Sequence, residues 1–300
     1  MPVVLRVRLL VAGGVHATSR GAHAVLCRWL DAPEPSHEAV IAGEPDSWWP
    51  LGRPTEPDAG KVRAHDESVK SWALVGLETE DDVVTIDVSL FDQDSDHSGG
   101  LAGRLAQFAA RCLVQPSSVE RIGAHAFQVI PSLDANGSAS AAEVLARATW
   151  QQLSHAPGSP TWSWNFLSST AFRRGKQDDP LYDPRRILVD IARSWRAHAP
   201  AEVVDAVPEG WGVDASIDTL ACDIRIGDRH DATSMGRSRS ELGFTGTARH
   251  RLRPPRGKAS VEVPGPLLAV ASYVGVGTAT TFGRGQVEVS WSGNPGERDG

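Results

Sequence analysis

Residues 275–285 read Gly-Val-Gly-Thr-Ala-Thr-Thr-Phe-Gly-Arg-Gly, and this glycine-rich loop decides between two classes of fold. Apolar spacing over 267–274 predicts a helix before the loop, and alternation over 286–291 predicts a strand after it. Nucleotide-binding loops run in the opposite order, from strand to helix, because the phosphate sits at a helix N-terminus. The order in this chain therefore argues against a dinucleotide or P-loop fold.

Outward from this loop, the chain reads as two successive βαββαβ units. The first half predicts a strand over 3–9, a helix over 22–30, strands over 71–77 and 84–90, a helix over 101–113 and a strand over 124–130. The second half predicts a strand over 162–167, a helix after Asp183-Pro184, weaker strands over 217–226 and 243–252, and the helix and strand that flank the glycine-rich loop. The predicted fold class is α+β, with two tandem ferredoxin-like (βαββαβ, RRM-like) domains and a C-terminal glycine-rich loop.

The boundary between the halves is predicted at the turn-rich residues 131–138. We expect a first domain over 1–132, a second domain over 133–293 and a disordered tail over 294–300. A helix over 141–153 is expected to connect the two domains.

Composition narrows the class of protein. Hydrophobic residues make up 41% of the chain and charged residues 22%, as in globular proteins. No apolar run is long enough to span a bilayer, and the alternating start over 1–8 favours a strand over a signal peptide, so a cytoplasmic location is expected. The three cysteines are far apart in sequence and lack metal spacing, and we expect small buried hydrophobic residues at all three positions.

Charge is distributed unevenly along the chain. The formal net charge is -7, which as an average argues against a nucleic-acid partner. Residues 225–256, however, contain eight arginines against three acidic residues. Arginine's planar fork suits phosphates and base edges, so the second half is the better candidate for binding nucleic acid.

Three stretches together resemble one known family. They are residues 241–246 with the following helix and glycine-rich loop, residues 166–173 with their Thr-Ala-Phe-Arg turn, and residues 21–30 with Ser-His-Glu at 36–38. In this order they resemble the CRISPR-associated repeat-RNA-processing endoribonuclease family (Cas six) of the RAMP superfamily. Ser36 departs from the leucine that usually precedes the family's histidine, and the stretch after it also departs from the family's pattern.

The resemblance implies cleavage of CRISPR repeat RNA by its own 2′-hydroxyl, without a metal or other cofactor. Such a reaction needs a base, an acid and positive charge at the phosphate. Histidine titrates near neutral pH and suits either proton role. The resemblance points to His37 as the catalytic residue, with His23 on the first helix as its rival. The alternative for each is an ordinary surface histidine.

The resemblance also implies RNA contacts in the second half. The expected RNA-binding residues are Gly275, Gly277, Gly283, Arg284, Gly285, Arg237, Arg239, Arg249 and Arg251. Candidates for the cation that stabilises the phosphate are Arg53, Lys61 and Lys70, each of which could also be a solvated charge.

Two other functions stay open at this point. The chain could be a non-catalytic RAMP-type subunit that only holds guide RNA in an effector complex, or a protein-binding module without RNA. The expected partners are CRISPR repeat RNA, as precursor and as mature guide RNA, and other CRISPR-associated effector subunits. Whether His37 or His23 faces the glycine-rich loop would distinguish an enzyme from an RNA-holding subunit.

Overall fold

The computed structural model describes residues 1–11, 17–30, 71–91, 100–103, 105, 121–122, 125–133, 139–174, 177–213, 215–231, 239–254, 261–278 and 280–292. His37, Arg53, Lys61, Lys70 and Arg237 lie outside these ranges, as does the predicted tail over 294–300.

The first half forms an antiparallel sheet with the strand order of a ferredoxin-like domain. Its elements are β1 (Val3–Val11), α1 (Ser19–Leu30), β2 (Trp72–Glu80), β3 (Val83–Leu90), β4 (Arg121–Ile122) and β5 (His125–Ile130). The strand order is β2-β3-β1-β5-β4, and every pair is antiparallel. Strand β1 alternates buried with less buried residues along its length, as its sequence predicts.

The connection between the halves differs from the prediction. It contains β6 (Ser132–Leu133), β7 (Ala139–Ser140), β8 (Glu143–Arg147) and the short helix α2 (Trp150–Ser154). The predicted helix over 141–153 is wrong for residues 143–147, because these pair with the start of β1. Backbone pairing with that strand outweighs the helical propensity of this alanine-rich stretch.

Helix α2 begins only after a capping box. The Thr149 hydroxyl accepts the Gln152 backbone N–H at 3.0 Å, and the Gln152 side chain accepts the Thr149 N–H at 2.8 Å. Strand β8 belongs to the first sheet although it lies beyond the predicted boundary at residue 132.

The second half repeats the same topology. Its elements are β9 (Thr161–Thr170), β10 (Phe172–Arg174), β11 (Gln177–Asp179), α3 (Pro184–His198), β12 (Ile217–Asp231), β13 (Arg239–Leu252), α4 (Gly265–Val274) and β14 (Val287–Trp291). The main sheet has the order β12-β13-β9-β14, and β10 and β11 form a separate hairpin. The predicted pair of ferredoxin-like units is therefore confirmed.

Strand β2 lies at the seam between the two units. Trp72 and Leu74 belong to the core of the first unit, whereas Ala73 and Phe91 belong to the core of the second. All three consecutive residues 72–74 are 1% exposed, because alternate side chains enter different cores. The two units therefore share an apolar interface. Within the described ranges, every helix is too short or too polar to cross a bilayer.

The two described cysteines depart from their predicted burial. Cys27 is half-buried on α1, and Cys222 is exposed on β12. Cys222 is exposed because it lies on a strand at the edge of its sheet. Cys112 lies outside the described ranges.

A buried histidine links two strands and a loop in the second core. His250 on β13 is fully buried, and its Nε2 is hydrogen-bonded to the Tyr182 hydroxyl. Its Nδ1 lies 3.4 Å from the Thr219 hydroxyl. Burial lowers the pKa of His250 to about 4, and burial also raises the pKa of the Tyr182 hydroxyl. The imidazole is therefore neutral near pH 7, with the tyrosine as hydrogen-bond donor to Nε2.

This histidine makes stability depend on pH. In the unfolded chain a histidine titrates near pH 6.5, so the unfolded state binds the proton first as the pH falls. We expect the free energy of unfolding to decrease by about 2–3 kcal/mol from this residue between pH 6.5 and 4. Urea unfolding from pH 4 to 8 measures the loss. His250→Gln should remove this residue's part of the slope of the free energy of unfolding against pH. His155→Gln, at an exposed histidine, should retain that slope. An unchanged slope in His250→Gln would show that His250 is not the residue responsible.

Candidate functional site

The glycine-rich loop closes tightly on itself and on the end of β9. Helix α4 ends at Val274, and Gly277 and Gly285 both have φ values in the left-handed region, 84° and 70°. A Cβ on Gly285 would lie 1.8 Å from the Val276 carbonyl oxygen, and one on Gly277 would lie 2.3 Å from the Ala171 carbonyl oxygen. Only glycine fits at these two positions.

Backbone hydrogen bonds join the loop to the Thr-Ala-Phe-Arg segment. The Thr278 N–H donates to the Ala171 carbonyl at 2.8 Å, and the Gly285 N–H donates to the Ser169 carbonyl at 3.1 Å. The Gln286 N–H donates to the Ser168 hydroxyl at 2.9 Å. Two stretches that are more than a hundred residues apart in sequence therefore form one structural unit.

A buried carboxylate supports this unit from α3. Asp190 Oδ2 accepts the Gly277 N–H at 2.8 Å, and Asp190 also pairs with Arg193 one turn along the helix. Burial raises the pKa of Asp190, although Arg193 and the Gly277 N–H both favour its charged form. The carboxylate satisfies a loop N–H that would otherwise have no partner at this close approach.

A second carboxylate holds Arg284. The side chain of Arg284 is 4% exposed and points into the protein rather than towards solvent. It donates from Nη1 to Asp178 Oδ2 at 2.7 Å and from Nη2 to the Leu242 carbonyl at 2.9 Å. Arg284 therefore fixes the loop to β11 and β13. Its expected contact with RNA stays a prediction.

His23 joins the first unit to the glycine-rich loop. It lies on α1 and its Nδ1 is 3.0 Å from the Thr281 carbonyl oxygen. A carbonyl only accepts, so Nδ1 carries the hydrogen and donates it. Nε2 lies 3.3 Å from the Cys27 sulfur, and the ring centroid lies 5.5 Å from that of Trp72. The imidazole is thus held on both nitrogens at the seam between the units.

Two of the predicted arginines face solvent from the second sheet. Arg249 and Arg251 alternate along β13 with the buried Ala248, His250 and Leu252. Side chains alternate between the faces of a strand, so both arginines lie on the face opposite the helices. Arg249 is opposite Ser163 of β9 and Arg251 is opposite Thr161. Arg239 begins β13 at its other end.

The structure thus divides the predicted residues into two groups. His23 and the loop residues Gly275, Gly277, Gly283, Arg284 and Gly285 come together at the seam. Arg249 and Arg251 lie elsewhere, on the open face of the second sheet. Sequence reasoning missed Asp178 and Asp190, which hold the loop in place. The only signal for Asp178 is its position just after the Thr-Ala-Phe-Arg turn, and the pattern on α3 does not distinguish Asp190 from a solvated acid.

A comparison with protein families identifies one match. Residues 164–287 match the family of the CRISPR-associated endoribonuclease Cas6. The matched range begins in β9 and ends with the first residue of β14. It therefore includes both the Thr-Ala-Phe-Arg segment and the glycine-rich loop. None of the curated proteins matches the chain.

Solved structures of Cas6 proteins share the fold. One Cas6 product complex has a TM-score of 0.61 at 20% identity, over 97% of this chain and 100% of the other. A second Cas6 product complex has a TM-score of 0.57 at 20% identity, over 96% and 99%. Thermus thermophilus Cas6 has a TM-score of 0.55 at 21% identity, over 97% and 98%. In sequence over residues 164–287, and in fold over nearly its whole length, this chain resembles the CRISPR-associated endoribonuclease Cas6 family.

Proposed function

We propose that this protein is an endoribonuclease that cuts CRISPR repeat RNA in a precursor transcript to release guide RNAs. The observation that carries the proposal is the contact of α1 with the glycine-rich loop, through the hydrogen bond from His23 to the Thr281 carbonyl. This contact brings the family-matched loop of the second unit to the helix that precedes His37 in sequence. The Cas6 family match supports the RNA substrate.

The proposed reaction uses the RNA's own 2′-hydroxyl. A base removes the proton from this hydroxyl, whose oxygen attacks the adjacent phosphorus. An acid protonates the 5′-oxygen that leaves. The products are a 2′,3′-cyclic phosphate and a 5′-hydroxyl, and this proton chemistry requires no metal ion.

His37 is the proposed proton-transfer residue, and His23 is a positioning residue. Both ring nitrogens of His23 have close partners, and its ring packs against Trp72. A histidine held in this way orients α1 well, but it would have to break a hydrogen bond to exchange a proton with RNA. His37 follows the end of α1 by seven residues. A fixed α1 would therefore help to bring His37 to the loop.

The proposed path of the RNA uses the open face of the second sheet. The exposed Arg249 and Arg251 would contact phosphates along this face. Arg284 contributes indirectly, because its pairing with Asp178 holds the loop that the RNA would approach. Other CRISPR-associated effector subunits are proposed to receive the product.

We expect His37→Ala to abolish cleavage of repeat RNA while leaving its affinity nearly unchanged. A proton shuttle adds little to ground-state binding, and general acid–base catalysis is typically worth about 10²–10⁴-fold in rate. Single-turnover cleavage with the chain's own genomic repeat RNA, measured in EDTA, tests this together with metal independence. His23→Ala, the matched control, should weaken cleavage through misplaced α1 without removing it.

Three outcomes would change the assignment. Normal cleavage by His37→Ala and no cleavage by His23→Ala would identify His23 on α1 as the proton-transfer residue. Cleavage of RNA with a 2′-deoxy nucleotide upstream of the cut would rule out the 2′-hydroxyl mechanism. Binding of repeat RNA without any cleavage by the wild-type protein would favour a subunit that only holds guide RNA.

We expect Arg284 and the pair Arg249 and Arg251 to differ in how their loss affects RNA binding. Arg249→Ala with Arg251→Ala should weaken binding and reduce the slope of log affinity against log salt by about 1.5, since each phosphate contact contributes about 0.7–0.9. Arg284→Ala should weaken binding with little change of slope and also lower the free energy of unfolding, by about 1–3 kcal/mol, because a buried pair is broken.

Salt titrations of RNA binding and urea unfolding of the same variants measure these effects. Arg147→Ala, at an exposed arginine of β8 in the first sheet, serves as the control and should change neither quantity. A reduced salt slope in Arg284→Ala together with unchanged stability would show that Arg284 contacts RNA directly.

A further inference from the structure

Strand β12 is an exposed edge of the second sheet. It is the terminal strand in the order β12-β13-β9-β14, and among the described strands only β13 pairs with it. Residues 220–227 are all exposed except the half-buried Ile224. Such an edge presents a row of backbone N–H and C=O groups that can pair with another strand.

The side chains of this edge segregate by face. Asp223 and Arg225 lie opposite Thr247 and Thr245 of β13, on the open face of the sheet. The apolar residues Cys222, Ile224 and Ile226 lie on the face towards the helices, opposite Ala248, Gly246 and Phe244. Ile226 is nevertheless 53% exposed.

The sequence of this edge is complementary to itself. If a second copy of β12 runs antiparallel with the two-fold axis at Ile224, Asp223 of each copy lies opposite Arg225 of the other. On the other face, Cys222 lies opposite Ile226. Residues directly opposite each other have Cβ atoms about 4.5–5.5 Å apart, close enough for ion pairs and apolar contact. Two ion pairs, two Cys222–Ile226 contacts and one contact between the two Ile224 side chains therefore form from a single register.

We propose that β12 pairs with β12 of a second copy of this chain and joins the two four-stranded sheets into one. A two-fold axis requires a surface complementary to itself, and the Asp223–Arg225 pattern meets that requirement. Backbone hydrogen bonds along the edge supply affinity, as in other cases of strand addition, and the side chains set the register.

The charged pair is available for this contact. Within one chain, Arg225 Nη2 and Asp223 Oδ2 are 3.6 Å apart, and their side chains are 81% and 70% exposed. An exposed ion pair of this kind contributes little to the stability of the single chain. Breaking it to form the same pairs with the second copy therefore costs almost no free energy. The exposed Leu242 of β13 lies on the same face as Ile226 and extends the apolar part of the contact.

Variants that change the charges at positions 223 and 225 test the proposed contact in the full chain. We expect the RNA-free wild-type protein to form dimers in sedimentation equilibrium. Arg225→Asp places two aspartates opposite each other on both sides of the axis, and should raise the dissociation constant at least about tenfold. The double variant Asp223→Arg with Arg225→Asp restores both ion pairs in reversed order and should recover the wild-type constant within about threefold. Arg147→Asp, with the same charge change in the first sheet, should remain dimeric.

The double variant also separates loss of the contact from loss of folding. It contains Arg225→Asp, so it would not recover dimerisation if that substitution unfolded the protein. A monomeric wild-type protein would overturn the proposal, as would an Arg225→Asp variant that dimerises normally. A dimer that Arg225→Asp weakens and the double variant does not restore would also overturn it, since charges directly opposite each other would then not set the register.

Discussion

Closure of the glycine-rich loop on the end of β9 is the constraint on which the rest of the site depends. The Thr278 and Gly285 N–H groups reach the carbonyls of Ala171 and Ser169 because Gly277 and Gly285 adopt left-handed φ values. A side chain at either position would collide with a backbone oxygen. Close contact between backbone and backbone therefore accounts for the glycines at these two positions.

Two carboxylates and one histidine extend this unit outward in three directions. Asp190 connects the loop to α3, Asp178 connects Arg284 to the β10–β11 hairpin, and His23 connects the loop to α1 of the other unit. Each contact joins elements that are distant in sequence. Together with the shared apolar seam at β2, they set how the first unit lies against the loop.

Local patterns were sufficient to predict most elements of both units. Alternation in β1 and β3 and the Asp183-Pro184 start of α3 depend on neighbours in sequence, and the structure confirms them. The helix predicted over 141–153 failed in its first half because strand pairing with β1 is non-local. A local pattern contains no information about a partner strand more than a hundred residues away.

Contacts between residues distant in sequence also explain why part of the candidate site could not be predicted. The sequence placed Arg284 among glycines but could not show on which side of the loop its guanidinium lies. Asp190 looks like any solvated helical acid until the Gly277 N–H is placed beside it. By contrast, the spacing of Arg249 and Arg251 by two residues on one strand places both on the same face.

The net charge of -7 is compatible with the RNA path proposed for the open face of the second sheet. At physiological salt the Debye length is about 8 Å, so exposed acids further away than that are largely screened from a phosphate. Arg249 and Arg251 lie on the open face of the sheet, next to the hydroxyl-bearing Ser163 and Thr161 of β9. The charge within one screening length of this face therefore decides whether a phosphate binds there. Arg249 and Arg251 contribute positive charge to it, and Asp218 of β12, directly opposite Arg251, contributes negative charge.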